Sequence, residues 1–347
     1  CGFVSTARIW SMFGCWITSR TLTSVTVSPA ARQRLQGLEQ RVAEAVAASP
    51  LRRIVRPFFL RQYLARPQEL DIEVTSSCDA DCIMCPRRSM RRAQGPMALD
   101  LFRKIVDEAV ELGIPEVVLN GYGEISTLRN SRDYIAYLRQ KSPSVCITIN
   151  TNGMRMNEAV ATTFVDYAVD VVNVAIDGAT AATFEGIRKE LTLDTVERHL
   201  RQLLAIRNAR GRTAPYVMTH MIHMPENAHE TDLFLQKWTG VADFAGIAGL
   251  YGRTGAVPVT IRGVKADYFP CFLPWKQMPV LSDGTVALCC DDWDGQASVG
   301  NLSTHTIREI WQSPRRQEIR ALHLEGRAAE IGVCAACLDP RRPPAWF

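Results

Sequence analysis

The hydrophobic pattern of the chain switches between two periods. From residue 69 onward, short runs rich in Val, Ile and Leu are separated by longer segments whose apolar positions fall three and four apart. The runs at 70–75, 116–120, 145–150, 171–176, 216–222 and 244–250 read as strands. The segments at 99–112, 134–139, 158–167, 193–210 and 230–238 read as helices, the first opened by Asp100 and closed by Gly113. Strand–helix alternation of this kind predicts an α/β fold with a parallel sheet and crossover helices. Six units are too few for a closed eight-fold barrel, so a partial, open (βα)6 barrel is expected. Upstream, Leu35, Leu38, Val42 and Val46 keep a helical spacing, Ser49-Pro50 breaks it, and a shorter amphipathic stretch runs through Phe58, Phe59 and Leu64. After about residue 250 the pattern changes. Residues 280–290 read as two short strands about an Asp283-Gly284 turn, and 306–322 as one helix. The expected organisation is an N-terminal extension over 1–68, helical from about 30, a barrel over 69–255 and a small α+β unit over 256–347.

Composition adds mainly exclusions. The 347 residues are 47% hydrophobic and 22% charged, an ordinary globular balance with material for a sizeable core. The net charge is only +4 and the arginines are spread out, which gives no basis for a nucleic-acid or membrane-surface partner. The moderately apolar stretch at 3–27 is interrupted by Arg8 and Arg20, too polar for a spanning helix. Eleven cysteines in tight groups fit metal binding better than disulfides at this length. Thiols of that kind need a reducing compartment, so a cytoplasmic location is expected.

The candidate chemistry lies just past the carboxyl ends of the predicted strands, the edge where α/β sheets bind ligands. Cys78, Cys82 and Cys85 follow the first strand with the spacing C-x3-C-x2-C. Three thiolates hold three irons of a [4Fe–4S] cubane and leave the fourth open to a small molecule. A zinc site or buried free thiols are the bland readings, although zinc ligands are usually spaced differently and no His lies near. Gly121-Tyr122-Gly123-Glu124, Thr151-Asn152-Gly153 and Asp177-Gly178 follow the next three strands. His220 and His223, three apart about the fifth strand, face opposite sides, and Asn227 on the same rim is a candidate substrate contact. Near the C-terminus, Cys271, the pair Cys289/Cys290, Cys334 and Cys337 offer four ligands, enough for one further cubane or a structural zinc. The two members of the pair would point to opposite faces of a hairpin strand. Cys146, inside a strand, reads as a core thiol.

With these motifs in this order, residues 69–340 resemble the radical S-adenosylmethionine (SAM) superfamily, specifically members with a C-terminal SPASM or twitch extension. The resemblance implies that Cys78, Cys82 and Cys85 hold a [4Fe–4S] cluster whose open iron chelates the amino and carboxylate groups of SAM. Met84 stands where the family brings a backbone group to the adenine. Gly121, Tyr122, Gly123 and Glu124 stand where the family's Gly-Gly-Glu receives the SAM amino group, with Tyr122 splitting the glycine pair. Asn152, Asp177 (in Ala175-Ile176-Asp177-Gly178, where Ala replaces the family's Ser) and Arg188 complete the implied SAM site. Cys271, Cys289, Cys334 and Cys337 are the implied ligands of one auxiliary [4Fe–4S] cluster of the twitch type. Cys290 is then a buried thiol or a hydrogen-atom donor. The implied activity is reductive cleavage of SAM to methionine and a 5′-deoxyadenosyl radical that removes a substrate hydrogen. The auxiliary cluster would take the second electron of an oxidation of a small polyol, sugar or aminocyclitol-like metabolite. The implied electron donor is flavodoxin- or ferredoxin-like. Peptide modification, epimerisation through Cys290, and a non-catalytic electron-transfer role are the alternatives.

Overall fold

The computed structural model describes residues 61, 63–249, 271–335 and 337. Eleven strands occur among them: β1 (Glu69–Ile72), β2 (Asp81–Cys82), β3 (Glu116–Leu119), β4 (Cys146–Thr151), β5 (Val171–Ala175), β6 (Arg188–Lys189), β7 (Tyr216–His223), β8 (Phe244–Gly249), β9 (Gln277–Val280), β10 (Thr285–Val286) and β11 (Gly300–Asn301). The six expected strands are β1, β3, β4, β5, β7 and β8, and they pair in parallel in that order. The helices Leu99–Glu111, Ser131–Lys141, Glu158–Asp166, Leu193–Ala209 and Thr231–Trp238 make the crossovers, which is the partial (βα)6 barrel. The predicted N-terminal helix lies outside the described residues apart from its last turn, and the predicted boundary at 255 does so entirely.

Alternation along the strands separates two environments. Leu70, Ile72, Val117, Ile147, Ile149, Val172 and Val174 have 2% exposure or less and pack against the helices. Each such side chain contributes about 1.5–3 kcal/mol by leaving water. Several of the intervening positions are polar. Asn173 donates to Asn150 at 2.8 Å and meets His220 Nδ1 at 2.8 Å, while Thr148 Oγ1 donates to Glu116. The concave side of the barrel is therefore lined with hydrogen-bonding groups, and His220 is buried there while His223 is exposed, on opposite faces as their spacing requires.

Three features differ from the sequence expectation. The C-terminal unit is continuous with the barrel sheet: β9 runs parallel to β1, and β10 and β11 extend it antiparallel. Long-range parallel pairing leaves no local pattern to read. Lys276 reaches Glu69 at 2.6 Å across this seam, and Gln277 donates to Glu69 at 2.9 Å. The expected helix over 306–322 is two, Ile307–Trp311 and Pro314–Leu324. Pro314 has no N–H to continue the first helix and instead opens the second, with the Ser313 hydroxyl accepting from Arg316 N. Cys289 and Cys290 fall in the turn beyond β10 and not on a hairpin strand, so the opposite-face argument does not apply to them. Among the described residues no helix is long and apolar enough to cross a membrane.

A single carboxylate ties the parts together. Glu73, just past β1 and 2% exposed, faces both terminal nitrogens of Arg92 at 2.7 Å. The same carboxylate accepts from Tyr122 N at 3.0 Å and Ser282 N at 3.2 Å. Arg92 in turn donates to Trp293 O at 2.5 Å. Removing one partner of such a pair strands a buried charge. Arg92→Met is expected to cost about 3–5 kcal/mol in denaturant unfolding, and adding Glu73→Leu is expected to restore most of it. An additive pair of losses would show that the ion pair is not the joint.

Candidate active site

The cysteine loop after β1 is held at both ends. At its base, Ser76 N donates to Gly95 O at 3.1 Å. At its tip, β2 pairs antiparallel with β6, which sets Cys82 opposite Arg188, and Ile83 N donates to Ile187 O at 3.0 Å. Neither two-residue strand carries enough periodicity to be seen in the sequence. Met84, 4% exposed, packs on Ile187 and Met224, while all three thiols keep partial exposure. Cys78 Sγ accepts from Ala80 N at 3.4 Å.

The glycine motifs bring the neighbouring strand ends onto this loop. A Cβ at Gly123 would fall 2.0 Å from Thr75 O, so only glycine allows the two loops to touch, and Glu124 N then donates to Ser77 O at 2.8 Å. The Glu124 carboxylate is buried and already taken by Ser126 N (3.1 Å), Ser126 Oγ (2.7 Å), Thr151 Oγ1 (2.8 Å) and Asn152 N (2.7 Å). Burial raises its pKa against those four donors. It knots the second strand end to the third. Tyr122 turns away from the triplet: its hydroxyl donates to Cys290 O at 2.5 Å, in the second cysteine region. Asn152 Nδ2 donates to Asp79 at 2.8 Å and lies 3.8 Å from Cys78 Sγ.

Asp177 has no exposure and binds Arg188 through two nitrogens at 2.7 Å. Arg188 Nη1 also lies 3.7 Å from Cys82 Sγ. Burial works against the guanidinium charge, but Asp177 and the Cys82 sulfur outweigh it and raise the pKa. Arg188 is therefore a buried cation beside the triplet. Asn227, expected as a substrate contact, is fully buried and spent on the backbone: it donates to Asp177 O (2.9 Å) and Ile222 O (2.8 Å) and accepts from Met224 N (2.8 Å). Its amide staples the exits of β5 and β7, a role that only the folded chain reveals.

The second cysteine set comes from three separate segments. Cys271 precedes the short helix Leu273–Lys276, Cys289 lies in the turn after β10, Cys334 sits in the helix Gly332–Ala335, and Cys337 follows it. Burial pushes the Cys289 thiol well up, and it feels Asp291, Cys271 and Cys334. Burial likewise pushes Cys334 up to about 12, with Cys271 and Cys337 adding to it. In the first set, burial pushes Cys78 up to about 12, and Glu124, Asp79 and Cys82 add to it. Such thiols stay protonated at neutral pH until a soft cation displaces the proton. Among the described residues, no three Cys, His, Asp or Glu side chains are closed into an ion cage as they stand. The donors nevertheless fit iron–sulfur clusters, being grouped thiols with no histidine inside the triplet loop.

Beside Cys289 and Cys290 lies a small recess, lined by Asp71, Glu73, Asn120, Tyr122, Leu281 and Asp292 among others. Glu73, Arg92 and the Tyr122 hydroxyl bond were not visible in the sequence. Their only trace was the run of alternating acidic residues 69, 71 and 73 in a strand buried on both faces.

Comparison with known proteins follows the same division. The radical SAM superfamily model matches residues 72–237, and the SPASM iron–sulfur cluster-binding domain matches 271–338. The mycofactocin maturase MftC of Mycobacterium tuberculosis is 28% identical over 157 residues, covering 45% of this chain and 39% of that protein. The matched region thus spans about two fifths of that relative's length. Among solved structures, BtrN in complex with AdoMet and 2-DOIA is 17% identical with a TM-score of 0.55, covering 81% of this chain and 98% of that one. SuiB of Streptococcus suis bound to the precursor peptide SuiA is 12% identical with a TM-score of 0.56, covering 90% and 79%. At these identities the structural likeness concerns the fold.

The turn after β5 yields a pH test. Glu230, 5% exposed, accepts from Ala179 N, Thr180 N and the Thr180 and Thr183 hydroxyls. Although burial opposes it, these bonds pull the carboxyl from its ordinary 4.5 to about 2. A depressed pKa stabilises the fold above the ordinary value, and the gain is lost as pH falls toward the folded value. Glu230→Gln is expected to be less stable than the parent at pH 7, with the gap closing between about pH 4.5 and 2 in pH-resolved thermal unfolding. A gap independent of pH would refute the linkage.

Proposed function

The chain belongs to the radical SAM superfamily of enzymes, with SAM, a [4Fe–4S] cluster and SPASM-type auxiliary iron–sulfur chemistry as its cofactors, and from that premise we propose that it dehydrogenates a small polyhydroxylated metabolite. Bound together, the reduced cluster and SAM supply hydrogen abstraction from an unactivated C–H bond. In this reading Cys78, Cys82 and Cys85 hold the SAM-binding cluster. The 121–124 turn, Met84, Asn152, Asp177 and Arg188 shape the SAM site around it, with Asp177 orienting Arg188 and Glu124 fixing the turn by its own bonds. Cys271, Cys289, Cys334 and Cys337 hold one auxiliary cluster that takes the second electron. Cys290, whose carbonyl is held by Tyr122, stays outside that set.

The observation that carries the substrate class is the concave side of the barrel, where Asn150, Asn173 and His220 form one hydrogen-bonded set suited to a polyhydroxylated molecule. The likeness to BtrN with 2-DOIA supports the same class. Likeness to MftC and to SuiB with SuiA supports a second reading, modification of a peptide. A flavodoxin- or ferredoxin-like protein is the proposed reductant.

Two measurements bear on this. Anaerobically reconstituted protein is expected to hold about eight irons, and alanine at Cys334 and Cys337 to reduce that to about four. With C-deuterated cyclitols, amino sugars and linear polyols as a substrate panel, deuterium is expected in 5′-deoxyadenosine. Transfer from peptide substrates alone would overturn the small-molecule reading.

A further inference from the structure

The helix Pro314–Leu324 turns one face toward the second cysteine set. Arg316, Arg320 and His323 lie four and three residues apart on that face, with exposures of 0%, 2% and 3%. His323 Nε2 lies 3.6 Å from Cys334 Sγ. Arg316 is close enough to Cys289 for the two to interact electrostatically.

Buried arginines elsewhere in the described chain have a carboxylate: Arg92 has Glu73, Arg188 has Asp177 and Arg207 has Asp243. Among the described residues, Arg316 and Arg320 have none. They bind carbonyls instead: Arg316 donates to Pro274 O (3.2 Å) and Gln277 O (2.6 Å), and Arg320 to Pro274 O (3.1 Å) and Trp311 O (3.3 Å). Both guanidinium carbons stand over the Trp311 ring, at 3.9 and 4.6 Å. One terminal nitrogen of each, Arg316 Nη1 and Arg320 Nη2, is buried with no hydrogen-bond partner. Two like charges buried on one ring are costly unless an anion is near.

The missing anion is supplied by the reading above. A cubane held by four thiolates is a net dianion when oxidised and gains a further negative charge on reduction, and surrounding charge shifts its potential. We infer that Arg316 and Arg320 are the counter-cations of the auxiliary cluster, favouring its reduced form and so setting its potential. This rests on the four cysteines holding that cluster. At the first cysteine set the buried Arg188 pairs with Asp177, Arg155 and Arg88 pair with Asp79 and Asp81, and the half-buried Arg87 donates to Ala80 O.

The test is an EPR-monitored redox titration of the full, anaerobically reconstituted chain, carrying Arg316→Met, Arg320→Met or Arg316→Lys. The parent is expected to show two reducible clusters. Each methionine variant is expected to keep its iron, leave the first potential unmoved and make reduction of the second cluster at least tenfold less favourable, about 59 mV for one electron. Arg316→Lys is expected to recover most of that shift. Full iron with an unshifted second potential would overturn the inference. If Arg316→Met loses the second cluster, recovery by lysine supports the charge role, and loss in both variants overturns it in favour of packing. A parent that holds one cluster only would overturn the underlying reading as well.

Discussion

Everything at the functional edge hangs on a buried carboxylate whose partners come from three places in the sequence. Glu73 lies just past the first barrel strand, yet its oxygens are shared between Arg92 beyond the cysteine triplet, Tyr122 in the second strand's turn and Ser282 in the C-terminal unit. A charge with 2% exposure must be matched by donors, and here the matching fixes geometry. The triplet loop, the 121–124 turn and the second cysteine region cannot shift separately without stranding it. Tyr122 repeats the coupling with its hydroxyl on Cys290 O.

This explains why the C-terminal unit is not a loose appendage. Its first strand, β9, continues the barrel sheet beside β1, and Lys276 and Gln277 reach the acidic residue that opens β1. The two cysteine sets are therefore both anchored to one continuous sheet. Electron transfer between clusters and hydrogen abstraction both depend on such fixed placement.

The barrel was legible from periodicity, because each of its strands is an apolar run bounded by turn residues, and the strand-end motifs located the edge. The cysteines were legible because their spacing is local. What escaped was set by distant partners. Asn227 looks like a rim residue in sequence, but three backbone groups consume its amide. For Arg188, named in the implied SAM site, the sequence did not show the β6 pairing that sets it against Cys82. Pro314 was in plain view as a helix breaker, and the apolar spacing on either side of it concealed the break.

The central claim is that the triplet, held between Glu73's joint and the Arg188 strand, is a SAM-cleaving centre. The most direct test is to mix reconstituted protein anaerobically with dithionite and SAM and follow 5′-deoxyadenosine, with Cys82→Ala as the comparison. The account predicts 5′-deoxyadenosine from the parent and none from the variant. Iron-loaded parent that forms none, or a variant that forms as much, would contradict it.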